Sequence, residues 1–126
     1  MTNWCFRAVR AALIVLILSF APAARAVDVV ELTVGEIEAG LAANSFTSAS
    51  LTQAYLDRIA TYESSYNAFV TLNPDALSIA AALDLEYQLT GPRSPLHGVP
   101  VVVKDNMDYA GLLTANGYAG FSNATE

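Results

Sequence analysis

Residues 99–103 form an apolar run, Val-Pro-Val-Val-Val, that constrains the fold more than any other part of the sequence. Every position along it is apolar, so a strand built from it would have to be buried on both faces. Strands of this kind are typical of parallel sheets that are covered by helices on each side. Pro100 is tolerable near the start of a strand, where a missing N–H costs least. The run therefore predicts one strand of an α/β sheet.

A second strand candidate lies at 68–72, and a helical pattern separates it from the run at 99–103. Asn73 is the predicted N-cap of that helix, Pro74 falls in its first turn, and Gly91 ends it. The apolar residues of the helix fall into a main stripe (Ala76, Ile79, Ala80, Leu83 and Tyr87) and an off-stripe group (Leu77, Ala81 and Leu85). Apolar residues on two sides predict a helix that is covered on two sides. Strand, helix and strand in this order predict a βαβ unit with a right-handed crossover.

Two further helices are predicted before this unit, and each begins with a capping signal. Thr33 and Glu36 have the spacing of a capping box, and the apolar pattern then continues to about Asn44. Thr47 is the predicted cap of the next helix. Because two parallel strands do not make a stable sheet by themselves, we expect the first part of a larger α/β domain rather than a complete one.

The first 26 residues have the pattern of a secretory signal peptide. Arg7 and Arg10 provide the positive start, an apolar run covers 11–21, and Ala24-Arg25-Ala26 offers a small-x-small cleavage site. The apolar run is shorter than the roughly 20 residues that a membrane span requires. We therefore expect cleavage after Ala26, a product of residues 27–126 in the periplasm or outside the cell, and no membrane attachment of that product.

The residues after the predicted signal are strongly acidic. They contain three basic residues and all 12 Asp and Glu of the chain, which gives a formal charge of −9. A nucleic-acid partner is not expected, because binding to phosphates needs a basic surface. The one cysteine, Cys5, lies in the predicted signal, so the product offers no thiol nucleophile, disulfide or cysteine ligand. We expect no cofactor and no metal ion.

Lys104 is the only lysine, and it follows the run at 99–103 directly. The carboxyl ends of parallel strands are where open α/β sheets bind their ligands. Partial desolvation at such a position favours the neutral amine, which can act as a base. A structural ion pair with Asp105 or Asp108 is the alternative interpretation, and the spacing alone does not separate the two.

The residues around Lys104 resemble a known family. Gly91-Pro92 and the stretch 96–108, Leu-His-Gly-Val-Pro-Val-Val-Val-Lys-Asp-Asn-Met-Asp, are similar to the opening block of amidase-signature hydrolases. A loop with glycine and threonine follows in that family, as Gly111 to Gly117 does here. The resemblance extends over roughly Leu32 to Gly120. It implies a mixed sheet sandwiched by helices, to which residues 27–126 would contribute the N-terminal helices and the first βαβ portion.

The resemblance implies hydrolysis of a small-molecule amide by a Ser–cis-Ser–Lys triad, with Lys104 as its lysine. In that chemistry the lysine accepts the proton of the middle serine, which activates the nucleophilic serine, and an acyl-enzyme forms and is hydrolysed. Backbone N–H groups of a glycine-rich serine loop stabilise the oxyanion. Both family serines correspond to positions after residue 126. We therefore expect residues 1–126 alone to be inactive.

Two functions stay open at this point. The first is the N-terminal part of an exported amidase, and the second is a catalytically inactive secreted remnant or binding module that keeps the same opening segment. The family branch that acts on charged tRNA is disfavoured by the predicted signal and by the charge of −9. His97 is predicted to hydrogen-bond the turn before the second strand, and Asp105 and Asn106 to fix the backbone after Lys104.

Overall fold

The computed structural model describes residues 27–121, which form three α-helices and a short 3-10 turn. Helix α1 spans Val34–Ala42, α2 spans Ser48–Tyr66, α3 spans Ala76–Thr90, and the 3-10 turn spans Ala119–Phe121. Helices α2 and α3 pack against each other. The predicted signal, residues 1–26, lies outside the described residues. Between residues 27 and 121, no helix combines the length and the apolar character needed to cross a membrane.

The starts of α1 and α2 confirm the predicted caps. At α1, the Thr33 side chain accepts a hydrogen bond from the Glu36 N–H, and the Glu36 carboxylate accepts one from the Thr33 N–H. The hydrogen bond from the Thr33 hydroxyl, followed by the one from its backbone, holds the pKa of Glu36 below its ordinary value. At α2, Thr47 forms the same reciprocal arrangement with Ser50.

Helix α3 begins later than the sequence predicts. Asn73 accepts hydrogen bonds from the Asp75 N–H through its side chain and from the Ala76 N–H through its carbonyl, so residues 73–75 form a turn before the helix. Gly91 ends the helix as predicted, with a φ of +79°. The predicted cover on a second side is wrong for the described residues, since Leu77 and Leu85 are exposed.

The core lies where α1 meets the beginning of α2. Its buried side chains are Ile37 and Leu41 of α1 and Leu51 of α2, and Leu51 is completely buried. Partly buried apolar residues surround these three: Val27, Val29, Leu32, Phe46, Tyr55, Tyr87 and Val99. Since Val99 is among them, the core fixes the beginning of the 99–103 run.

The two predicted strands are not present in the described residues, which contain helices and turns only. At 68–72, the Phe69 N–H donates to the Glu63 carboxylate (2.9 Å), which ties the segment back to α2. In the 99–103 run, the side chains of Val101 and Val102 are 72% and 75% exposed. A strand needs a neighbour for its ladder hydrogen bonds, and residues 27–121 supply none to either segment. The α/β class was predicted from the apolar character of these two segments. The described residues do not bury the segments, so this part of the chain contains helices without a sheet.

Candidate active site

A carboxylate on α3 holds the first turn of α2. Asp84 accepts hydrogen bonds from the Ser48 N–H (2.6 Å) and the Ala49 N–H (3.0 Å). These N–H groups belong to the helix N-terminus, where backbone donors have no partner within the helix and a negative charge is favourable. The contact fixes the position of α2 relative to α3.

The same turn of α2 holds the residue just before the 99–103 run. The Ser48 hydroxyl is buried and donates to the carbonyl of Gly98 at 2.8 Å. Gly98 has a φ of +77°, and a Cβ built on it would lie 3.1 Å from the Ser48 Cβ. Only glycine meets both requirements easily, since it lacks a Cβ and tolerates positive φ.

His97 hydrogen-bonds the turn before the run, as predicted, and it also joins this turn to α3. Its Nδ1 accepts from the Arg93 N–H (3.3 Å), and its Nε2 lies 3.0 Å from the Leu83 carbonyl. Because a carbonyl can only accept, the tautomer with the proton on Nε2 satisfies both contacts. The ring is buried and packs edge-on against Tyr87. His97 is therefore part of the scaffold of the site.

These contacts bring the chain to Lys104, whose side chain is exposed. The partial desolvation expected from the sequence is absent in the described residues, because Val101, Val102 and Val103 just before Lys104 are exposed as well. The alternative ion pair is absent as well, since neither Asp105 nor Asp108 lies within ion-pair distance of Lys104; the pair present in residues 27–121 joins Arg93 and Glu86. The carbonyl of Lys104 accepts from the Met107 N–H at 2.9 Å, which starts a turn.

Asp105 fixes the backbone beyond Lys104, through contacts that reach much further than the local turn expected. Its carboxylate accepts from the N–H groups of Ala115 (3.1 Å) and Gly117 (2.9 Å). Its backbone carbonyl accepts from the N–H of Asn116 (3.0 Å). We call residues 109–117 the glycine loop, and three consecutive N–H groups of this loop bind Asp105.

Sequence reasoning missed the roles of Asp84 and Ser48. Asp84 and Ser48 are 36 residues apart, and no local spacing rule connects them. The one signal was an acidic residue, Asp84, between the apolar residues Leu83 and Leu85 of the predicted helix. Within residues 27–121, no three His, Cys, Asp or Glu side chains are grouped so that they could hold a metal ion.

Comparison with known proteins agrees with the residues around Lys104. The sequence model of the family described as Amidase matches residues 50–126, from the first turn of α2 through Lys104 and the glycine loop. The chain is 34% identical over 119 residues to a protein of Arthroderma benhamiae named "Putative amidase", with 76% of this chain and 20% of that protein covered.

Bacterial relatives match the same part of the chain. A Glutamyl-tRNA(Gln) amidotransferase subunit of Cellvibrio japonicus is 41% identical over 86 residues, with 68% of this chain and 18% of that protein covered. The protein of the same name from Chelativorans sp. is 40% identical over 88 residues, covering 69% of this chain and 18% of the relative. No solved structure matches the chain.

The match covers more than half of the chain, and it contains α2 from Ser50 onward, α3, the turn at His97 and the lysine segment, by which we mean residues 99–105. The chain belongs to the amidase signature family. It spans about a fifth of the length of the curated relatives that it matches, so it is a fragment of an amidase domain.

Proposed function

We propose that the chain is the lysine-bearing N-terminal part of an exported amidase that hydrolyses the C–N bond of a carboxylic amide. Lys104 is the base of a Ser–cis-Ser–Lys triad whose serines come from the remainder of the domain. The single observation that carries this proposal is the position of Lys104 within the family match, directly after the Gly-Val-Pro-Val-Val-Val stretch.

The contacts around Lys104 support the proposal by fixing its backbone on both sides. Before it, Ser48 holds Gly98, and His97 ties the turn to α3. After it, Asp105 binds the glycine loop. A base has to be held to within about half an ångström of its working position, and anchored segments on either side limit the positions that the Lys104 backbone can adopt. Its exposed amine leaves room for a serine to approach.

The reaction assigns one proton path to Lys104. The neutral amine accepts the proton of the middle serine as that serine takes the proton of the nucleophilic serine. The nucleophilic oxygen then bonds to the amide carbon, the C–N bond breaks, and the proton goes to the leaving amine. Water hydrolyses the acyl-enzyme and releases the acid.

Turnover of simple carboxylic amides tests this function. The protein to use is the product of the whole reading frame that contains codons 1–126, purified and assayed for release of the amine or ammonia. Release that depends on Lys104 supports the amidase. A folded product that neither releases amine nor reacts with a fluorophosphonate would favour the catalytically inactive secreted module instead.

Export is a separate part of the proposal, and it follows from the signal pattern in residues 1–26. We expect the exported protein to begin at Val27. N-terminal sequencing of protein recovered from the periplasm or the medium checks this directly. Recovery of the protein in the cytoplasm with Met1 in place would contradict it.

The charge of −9 after residue 26 favours an uncharged or cationic amide over a polyanionic substrate such as tRNA.

A further inference from the structure

We propose that Asp105 is a positioning residue that fixes the glycine loop against the Lys104 segment, so that loop and lysine form one unit of the active site. This inference rests on the proposed function of Lys104. It goes beyond that function by assigning a role to the neighbouring carboxylate and to residues 109–117.

The first support is the convergence of the loop on one residue. Ala115, Asn116 and Gly117 direct three successive N–H groups to the carboxylate and the carbonyl of Asp105. Asn116 and Gly117 have φ values of +51° and +71°. Successive backbone N–H groups in a turn can form a concave donor site that suits an anion. Here the anion is the chain's own carboxylate.

The second support is the place of Asp105 in the chain. It follows Lys104 directly, and the Lys104 carbonyl closes a turn with the Met107 N–H. The glycine loop therefore holds Asp105, and the backbone of Asp105 is part of the lysine segment. Ala115, whose N–H binds the carboxylate, is one of the buried apolar residues of the described chain, which gives the loop a fixed point of its own.

The consequence concerns the direction in which Lys104 presents its amine. With the carboxylate bound to two N–H groups, the backbone on the carboxyl side of Lys104 cannot rotate independently of the loop. Hydrogen bonds to a carboxylate are stronger than those between neutral groups. Without the carboxylate, the loop should therefore be released, and the Lys104 amine should occupy a wider range of positions.

The test compares Asp105→Asn with Asp108→Asn in the product of the whole reading frame. Asparagine keeps one acceptor oxygen and presents an NH₂ group to the second N–H, where two donors meet. Asp108 is an exposed carboxylate four residues after Lys104 that accepts no hydrogen bond within residues 27–121, so it is the matched control. The two variants change the net charge equally.

The first readout is amide hydrogen exchange in the glycine loop. We expect exchange at Ala115 and Gly117 to be faster in Asp105→Asn and unchanged in Asp108→Asn. Equal exchange in wild type and Asp105→Asn would overturn the proposal. This readout requires no turnover, so inactivity of the wild-type protein would count against the amidase while the exchange result still decides the role of Asp105.

The second readout separates positioning from a merely structural role. Active sites are counted with a fluorophosphonate, and turnover is expressed per labelled site. A structural role would lower the number of labelled sites and leave turnover per site unchanged. We expect Asp105→Asn to lower turnover per site by roughly ten- to a hundredfold at a similar KM, as small misplacements of reacting groups do. Unchanged turnover per site would overturn the proposal.

A variant on the loop side keeps the test valid if Asp105→Asn does not fold. A Cβ at Gly117 would meet nothing within 4 Å, so Gly117→Ala disturbs only a backbone conformation with φ +71°. We expect Gly117→Ala to speed loop exchange and to lower turnover per site in the same direction. Normal exchange and normal turnover in this variant would contradict the role of the loop.

Discussion

Gly98 connects the core to the segment that leads to Lys104. Its φ of +77° lies in the left-handed region, and its backbone is pressed against Ser48. Positive φ costs an L-residue roughly 1–2 kcal/mol, because its Cβ approaches the backbone. A side chain here would also push Ser48 away from the Gly98 carbonyl.

We predict that Gly98→Ala destabilises the protein by about 2–3 kcal/mol, from the positive φ and the weakened Ser48 hydrogen bond together. Gly111→Ala is the matched control, since Gly111 has a φ of +82° and open space around its Cβ position. Its cost should be roughly 1–2 kcal/mol, from the backbone alone. Denaturant unfolding measures both. Equal destabilisation of the two variants would mean that the contact with Ser48 contributes nothing.

At the scale of single residues, the sequence predicted contacts that depend on near neighbours. The scaffold role of His97 was predicted, since a turn lies just before it and provides the Arg93 N–H. The partial desolvation expected at Lys104 is absent in residues 27–121, because desolvation depends on parts of the chain that are distant in sequence. Asp105 was expected to act locally, whereas its partners are 10 and 12 residues away.

Among the elements, helix ends were largely predictable and helix contacts were not. Thr33, Thr47 and Gly91 act within one turn of their helices, so their sequence signals are complete. Helix α3 starts three residues after its predicted cap, since the side chain and carbonyl of Asn73 form a turn instead. The link between α2 and α3 through Asp84 has no local signal at all.

We predict that Asp84→Asn destabilises the protein by about 1–3 kcal/mol, since both backbone N–H groups at the start of α2 lose a charged acceptor and one of them then faces an NH₂ group. The first turn of α2 should also lose protection from amide exchange. Asp57→Asn serves as the control: Asp57 is exposed, its side chain accepts one hydrogen bond, from Gln53 of the same helix, and the change should stay within about 0.5 kcal/mol. Wild-type stability in Asp84→Asn would contradict this role of Asp84.

The two strand predictions failed for one physical reason. An apolar segment such as 99–103 becomes a strand when neighbouring strands satisfy its backbone and other elements cover its faces. The sequence carries the apolar character, and the described residues leave Val101 and Val102 exposed. The sequence thus indicated that these segments require neighbouring strands and covering elements, which residues 27–121 do not supply.

At the scale of the whole molecule, the exposed apolar residues and the short coverage of the relatives both indicate part of a larger domain. Large apolar side chains remain exposed on α3 and along the run that leads to Lys104. The relatives are about five times as long as the part that this chain matches. The family could be predicted from one contiguous block around Lys104, because that block is local in sequence. The complete site could not, because its serines are proposed to lie elsewhere in the domain.

The central claim is that Lys104 is the base of an amidase. Its most direct test is amide turnover by Lys104→Arg and Lys104→Met in the product of the whole reading frame, with the melting temperature measured alongside. Arginine stays protonated and cannot accept a proton, and methionine keeps much of the volume without the amine. We predict that both variants fold with near wild-type melting temperatures and lose roughly a thousandfold or more in turnover. Near-normal turnover in a folded Lys104→Arg variant would contradict the claim.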